Sequence, residues 1–379
     1  MPNKFTRQYS WKNPKPSRTA CVVRYGGIGD IIMAATIAPG LKAQGYHVTM
    51  MTTPNGEGIL ANNPHIDAFI VQDTDQVPNG ELGAYWEVWS KKFDHFINLC
   101  ESIEGGLLGL PERGIIHRWP LKARQKILGS VSYYERTADI AGVPHKFAPA
   151  FFPTKDEAEW AGKQRQAMPG GQVVMLSLAG SSIHKAYPYS DVVVGTLLDD
   201  DPDVTVVLVG DEGCKLLEEA VLAGILQRRG ASEQLVNDAL AADGIAGLEN
   251  LILHHYKRQR VICQSGKWSV RQSLAFLAEC AAVVGPETGV LNAAAFMPIG
   301  KVVMLSHSSP ENLCKHWKNT TALMAGVACQ SCHQMHYDRT YCPEHKETSA
   351  SMCMGMLDPS DVIKAIQSRL PKILVSANG

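Results

Sequence analysis

Short apolar runs recur along this chain, separated by polar, helix-forming stretches. ACVVRY (20–25) reads as a buried strand, and HVTMMT (47–52), AFIVQ (68–72) and FDHFINL (93–99) are the next strand candidates. A helix-like run begins at Asp30 and is disturbed by Pro39. The alternation predicts a parallel sheet covered by helices. Over 147–171 it breaks, where FAPAFFPT and AMPGGQ flank the polar helical piece KDEAEWAGKQRQ. It then restarts with QVVMLSLAG (172–180), VTVVLVG (204–210), LILHH (251–255), RVICQ (260–264), AAVVG (281–285) and KVVMLS (301–306). Ser269 with Gln272 forms a capping box that starts a helix at Val270. Asp358 caps a last amphipathic helix with Pro359 at its first position.

The expected fold class is therefore α/β, with two Rossmann-like domains facing a cleft, the usual place for a ligand. The expected division is a flexible arm over 1–18, an N-terminal domain over 19–150 and a linker over 151–171. A C-terminal domain over 172–357 and a final helix over 358–370 complete it. A chain of 379 residues is comfortable for two domains. The net charge of −1 gives no whole-protein argument for nucleic acid or membrane binding. The polar N-terminus lacks the apolar core of a signal peptide. No stretch approaches the roughly 20 apolar residues that span a bilayer. A cytoplasmic protein is the expectation, with the inner face of the membrane as the other compatible place.

Three loops at expected strand ends hold candidate chemistry. In RYGGIGDIIMAA, Gly27 and Gly29 supply two positions of a dinucleotide fingerprint, but the third falls on Ile32 and the match fails. The local sequence leaves Asp30 as a helix cap or a working carboxylate. In SLAGSSIHKAYPYSD, Ser181, Ser182 and Lys185 suit phosphate oxygens, and an ordinary surface loop is the alternative. In AAVVGPETGVLNAAA, Glu287 either accepts from sugar hydroxyls or caps the helix that Thr288 and Gly289 open.

In order and spacing these segments resemble glycosyltransferase family 9, the ADP-heptose:lipopolysaccharide heptosyltransferases. The similarity runs from about Cys21 to Leu370 and rests on VVRYGGIGDIIMA, AGSSIHKAYP and SGKWSVRQSLAFLAECAAVVGPETGVLNAAA. It implies the B-type glycosyltransferase fold, with acceptor on the N-terminal domain and nucleotide sugar on the C-terminal one. It also implies an inverting transfer in which Asp30 is the general base, with Gly27 and Gly29 as loop backbone near the acceptor. Donor-binding residues by the same resemblance are Ser181, Ser182, Lys185, Glu212, Glu287, Thr288 and Gly289, with Glu212 aligned loosely. No metal is required for the chemistry it implies, because lysine and helix N-termini neutralise the leaving diphosphate. ADP-heptose is the implied donor. The implied acceptor is a hydroxyl of a glycan, protein or other molecule, anionic ones included. Two departures bear on the donor: Glu287 stands where the family has Asp, and Asn292 where it has His. An amide cannot become cationic. A nucleotide-sugar epimerase on the same fold and a non-catalytic, metal-bearing binding module are the competing readings.

Four of the ten cysteines, Cys329, Cys332, Cys342 and Cys353, follow a C-x2-C-x9-C-x10-C spacing in the segment 329–353. Four thiolates suit a structural Zn or Fe, and His333, His336 and His345 are spare ligands. Four reduced thiols in a loop are the alternative. Some family members that glycosylate bacterial surface proteins resemble this, with a cysteine-held iron. The basic stretches RGIIHRWPLKARQK (113–126) and HHYKRQR (254–260) suit an anionic acceptor or a solvated face. Nothing in the sequence fixes an oligomeric state.

Overall fold

The structure is a computed structural model that describes residues 17–72, 76–101, 120–180, 182–332 and 342–371. The chain divides into two compact units, Met1–Phe152 with Glu311–His316, and Pro153–Pro310 with Trp317–Gly379.

The first unit runs β1 (Thr19–Val23), α1 (Ile28–Ala35), α2 (Ala38–Ala43), β2 (His47–Thr52), α3 (Pro54–Leu60) and β3 (Ala68–Val71). It continues with α4 (Leu82–Ser90), β4 (His95–Asn98), α5 (Leu99–Glu101), α6 (Leu121–Leu128) and α7 (Tyr133–Ala141). Among the described residues its sheet is parallel in the order β3-β2-β1-β4. The central β1, TACVV, is buried at every position, as a strand covered on both faces must be. Its register pairs Thr19 with His47 and Ala20 with His95. Cys21, Val23, Met51, Trp86 and Trp89 pack together into a core beside it. Pro39 sits in the first turn of α2, where its missing N–H costs nothing, so the expected disturbance is a break between two helices. Arg18 belongs to this unit rather than to an arm. Its guanidinium donates to Gln44 O and lies over the Tyr46 ring at 4.3 Å. The rest of the expected arm, residues 1–16, lies outside the described residues.

The second unit opens with α8 (Lys155–Ala167), β5 (Gln172–Ser177), α9 (Ser190–Asp200), β6 (Val204–Val209), α10 (Lys215–Arg228) and α11 (Glu233–Tyr256). Then come β7 (Val261–Cys263), α12 (Val270–Phe276), β8 (Ala282–Pro286), α13 (Gly289–Ala294), β9 (Gly300–Met304), β10 (Thr320–Leu323), α14 (Met352–Gly355) and α15 (Pro359–Arg369). Its parallel sheet has the order β10-β9-β8-β5-β6-β7. Counted from β5, that is the 3-2-1-4-5-6 order of the dinucleotide-binding fold. The capping box of Ser269 and Gln272 and the Asp358 cap with Pro359 are both present.

Four expectations need correction. LILHH (251–255) is helical and belongs to α11, where Leu248 and Ile252, one helical turn apart, are buried and Leu253 is exposed. A short apolar run cannot distinguish the two periods. Thr320–Leu323 is a strand that the apolar pattern missed, because it is half-buried throughout and stands at the sheet edge. Most of the expected linker is the helix α8, built onto the second unit. Arg271 of α12 grips Glu157 through Nε and Nη2, each at 2.6 Å, and Trp160 meets Trp268 edge-on. Residues 311–316 fall outside the second unit, although they lie within the expected 172–357. Asn312 Nδ2 donates to Val131 O, and Lys315 and His316 both reach Glu135 in the first unit.

In each sheet the strand order reverses once, between β1 and β4 in the first unit and between β5 and β8 in the second. Ligands of open parallel sheets bind beyond the carboxyl ends of the strands at such a point.

Candidate functional site

The loop Arg24–Gly27 leaves β1 at the first of these reversals. Gly26 adopts φ +103°, a conformation that an L side chain rarely takes. A Cβ there would lie 3.0 Å from Asp30 Oδ2. The strained position is thus Gly26, whereas Gly27 is the extended residue before α1 and Gly29 is inside that helix. Asp30 occupies the third helical position, and its Oδ2 accepts from Gly27 N at 3.1 Å. Its Oδ1 pairs with Arg24 Nη2 at 3.0 Å. Buried Arg24 also donates through Nη1 to Leu99 O beyond β4. Asp30 is therefore a cap and yet keeps 33% of its side chain exposed. Arg24 was not singled out in the sequence. Its place at the end of an apolar strand was the available signal.

At the second reversal, the loop after β5 holds Ser182 and Lys185, and the loop after β8 holds Glu287 and Thr288, with Gly289 opening α13. The structure joins them. Lys185 is 8% exposed, and its Nζ donates to Glu287 O at 3.3 Å. An ammonium has three donors, so two remain for a ligand. The Ser182 hydroxyl contacts His184 Nδ1 at 2.6 Å. Thr288 Oγ1 accepts from Ser177 Oγ and from Leu291 N, which starts α13. Asn292 Nδ2 returns to Thr288 O at 2.9 Å, so the amide stiffens that turn. Ser181 lies outside the described residues. Glu212, beyond β6 and one strand from β5, is mostly exposed and pairs with Lys215 at 2.5 Å. Gly266 follows β7 at φ +66°, a conformation that an L side chain rarely takes, and lies close against Glu212.

Glu287 differs from the expected sugar contact. Oε1 accepts from Ser306 N (2.9 Å), Ser308 N (3.1 Å) and Ser308 Oγ (2.6 Å). Oε2 accepts from Ser306 Oγ at 3.1 Å and faces His307 Nδ1 at 2.6 Å. A carboxylate has about four lone-pair sites, and these partners fill them. Burial alone would raise its pKa, but His307 above all, then Lys185 and the Ser308 hydroxyl, hold the carboxyl far below the usual range. The carboxylate is consumed in organising the loop after β9. His307, Ser306 and Ser308 were missed, although their run of hydroxyls and imidazole directly follows an apolar strand.

The cysteine-rich segment braces the same loops. Gln330 Nε2 donates to Leu305 O, Ser331 Oγ to Ser308 O, and Ser351 Oγ to His184 O. Burial pushes the Cys353 thiol up to about 11, and the charges of Glu287, Cys329 and Cys342 add to this. Burial also raises Cys342, with Cys329 contributing. The three thiols thus share one region, but among the described residues no group of three or more His, Cys, Asp or Glu is placed to hold a metal ion. The donor chemistry of four cysteines suits a metal. Of the spare ligands, His333 and His336 lie outside the described residues, and His345 Nδ1 contacts Thr348.

The basic stretches separate. Residues 113–119 lie outside the described residues, and Arg260 is spent on the carbonyls of Val204, Leu198 and Asp201. Among the described residues no helix is long and apolar enough to cross a membrane.

No protein-family model matches this sequence, and no curated protein sequence matches it. Solved structures do match. The ADP-heptose lps heptosyltransferase II of E. coli aligns with TM-score 0.58 at 15% identity, over 92% of this chain and 98% of its own. A glycosyl transferase family 9 protein of Veillonella parvula aligns with TM-score 0.57 at 11% identity, over 93% and 97%. The iron-containing dodecameric glycosyltransferase TibC of enterotoxigenic E. coli aligns with TM-score 0.52 at 12% identity, over 93% and 75%. At such identities the likeness is one of architecture, and the chain has the two-unit, B-type fold of these glycosyltransferases.

Proposed function

We propose that this chain is an inverting glycosyltransferase of the heptosyltransferase kind, using a nucleotide diphosphate sugar. The observation that carries this reading is the buried Lys185 ammonium, which the structure bonds to one partner only among the described residues, at the reversal of a 3-2-1-4-5-6 sheet. Lys185 neutralises the diphosphate, and the loops after β5 and β8 position it. Asp30 takes the proton of the acceptor hydroxyl. The acceptor oxygen forms its bond to the anomeric carbon as the bond from that carbon to the diphosphate breaks, and the diphosphate oxygen leaves with the electron pair. Arg24 and Gly27 N fix the direction of the Asp30 carboxylate while its exposed edge stays available. ADP-heptose is the first donor to test, because a structural neighbour is named for it. A hydroxyl of a glycan or protein is the acceptor.

The test is mass spectrometry of the purified protein with a panel of nucleotide sugars, with and without acceptors. Turnover that requires an acceptor, together with its loss in Asp30→Asn, supports the reading. Donor consumption without acceptor favours an epimerase, and no donor bound by the wild type defeats the proposal. A structural Zn or Fe on Cys329, Cys332, Cys342 and Cys353 is a separate proposal, in which the metal would draw the thiols together. Equal metal content in the wild type and Cys329→Ser would dismiss it.

A further inference from the structure

The reversal between β5 and β8 leaves β6 and β7 on one side of the second sheet and β9 and β10 on the other. A nucleotide whose diphosphate meets Lys185 extends along the carboxyl edge over one of these sides. On the β9 side the loop is taken up by Glu287 through Ser306 and Ser308. On the other side, the loops after β6 and β7 present open groups. The Glu212 side chain is 74% exposed, Leu216 four residues on is 72% exposed, and Gly266 and Lys267 are exposed. An apolar side chain beside an acid suits a base and its ribose hydroxyls.

Beneath that surface the two loops are tied together. Gly266 N donates to Gly210 O at 3.2 Å. Ser265 N donates to Glu218 Oε1 at 2.7 Å, and Glu218 stands in the first turn of α10, just after the loop that follows β6. The Ser265 hydroxyl packs on the backbone of Gly210, 3.2 Å from where a Cβ would stand. Glu218 and Ser265 are both fully buried, yet Glu218 Oε2 and Ser265 Oγ have no hydrogen-bond partner among the described residues. Burial raises the pKa of the Glu218 carboxyl, with Ser265 and Lys267 opposing it, so the acid is held toward its neutral form. A buried acid kept at such a cost calls for an explanation.

We infer that Glu218 is a positioning residue for the nucleoside end of the donor, holding the loop after β7 against the loop after β6. This rests on the proposed use of a nucleotide diphosphate donor. Glu218 is too deep to touch a ligand and acts through Ser265 N, which sets Gly266 close against Glu212. Lys185 keeps the diphosphate, so Glu218 governs which nucleoside is preferred rather than whether a diphosphate binds. Glutamine in its place keeps the acceptor for Ser265 N and offers a donor to the Ser265 hydroxyl.

Calorimetric titration of the full chain with ADP, UDP and GDP tests this, weak binders being read by competition with the tightest. Glu218→Leu should weaken the tightest diphosphate by about 10- to 100-fold, the span expected when a buried N–H loses its acceptor. The least favoured diphosphate should stay within threefold, so the preference among bases collapses. Glu218→Gln should keep both affinity and preference within threefold of the wild type. An equal loss for all three diphosphates overturns the inference, because a merely structural role gives that result. So does a Glu218→Leu within threefold of the wild type, a Glu218→Gln no better than Glu218→Leu, or a wild type that binds all three alike. Should Glu218→Leu fail to fold, hydrogen exchange of the wild type replaces it. The tightest diphosphate should slow exchange over 264–268 further than pyrophosphate does, and equal protection overturns the inference. A wild type that binds none of the three diphosphates defeats the proposed function itself, a result distinct from failure of the Glu218 variants alone.

Discussion

Asp30 and Glu287 look alike in the sequence. Each is an acid within two residues of a glycine, shortly after an apolar strand and close to the start of a helix. Folded, they are opposites. Asp30 has two protein partners and 33% of its side chain exposed, whereas Glu287 is 4% exposed and fully bonded. A carboxylate that must exchange a proton has to keep a lone pair for its substrate. A carboxylate that shapes a loop gains most when every lone pair is used. The same local pattern thus leaves a partly exposed carboxylate in one unit, as the proposed reaction needs, and serves architecture in the other.

Exchanging each acid for its amide is the strongest way to break that contrast. Asp30→Asn should lower kcat by about 10²- to 10⁴-fold. Its urea midpoint should fall by less than that of Glu287→Gln, because the Asp30 side chain is one-third exposed. Glu287→Gln should cost about 3 kcal/mol of stability, because the His307 contact and two serine hydroxyls lose their charged acceptor. Urea unfolding of the two variants side by side checks this, and equal midpoints would abolish the distinction.

Acid titration sharpens it further. The Glu287 carboxyl lies below its ordinary value of 4.5 in the folded chain. Its contribution is therefore complete above about pH 4.5 and is lost as pH falls below that value. Thermal melts from pH 6 to pH 3 should show a steeper loss in the wild type than in Glu287→Gln.

Smaller effects come from the groups around each acid. Ser308→Ala removes a 2.6 Å bond to the carboxylate and should cost about 2 kcal/mol, read from urea midpoints. Gly26→Ala forces a side chain into φ +103° beside Asp30 and should cost about 1 kcal/mol. It should also lower kcat, because the added Cβ crowds Oδ2. An unchanged kcat would show that Asp30 tolerates movement.

The sheets were legible because parallel strands buried on both faces read as continuous apolar runs. HVTMMT matches β2 to the residue. The helix starts at Ser269 and Asp358 were legible because their capping chemistry is local. The strand Thr320–Leu323 and the helical 251–255 were not, since the first lacks an apolar run and the second carries one of ambiguous period. At the site, Asp30 and Lys185 could be placed after strands. That Glu287 would be saturated could not be read, because its partners lie 19 and 21 residues away on another strand end. Only the fold brings Ser306 and Ser308 to it.

The brace from the cysteine-rich segment bears on the order in which the molecule is made. Ser351 reaches back 167 residues to His184, and Gln330 and Ser331 secure the loop that holds His307. A ribosome delivers the strands of the second sheet first, at about 5–20 residues per second. The loops carrying Lys185 and His307 then wait for the last stretch of chain before these three side chains can lock them. A nascent chain halted before residue 330 would have much of its sheet but none of these three contacts, so the nucleotide binding proposed for these loops should be among the last properties to appear during synthesis.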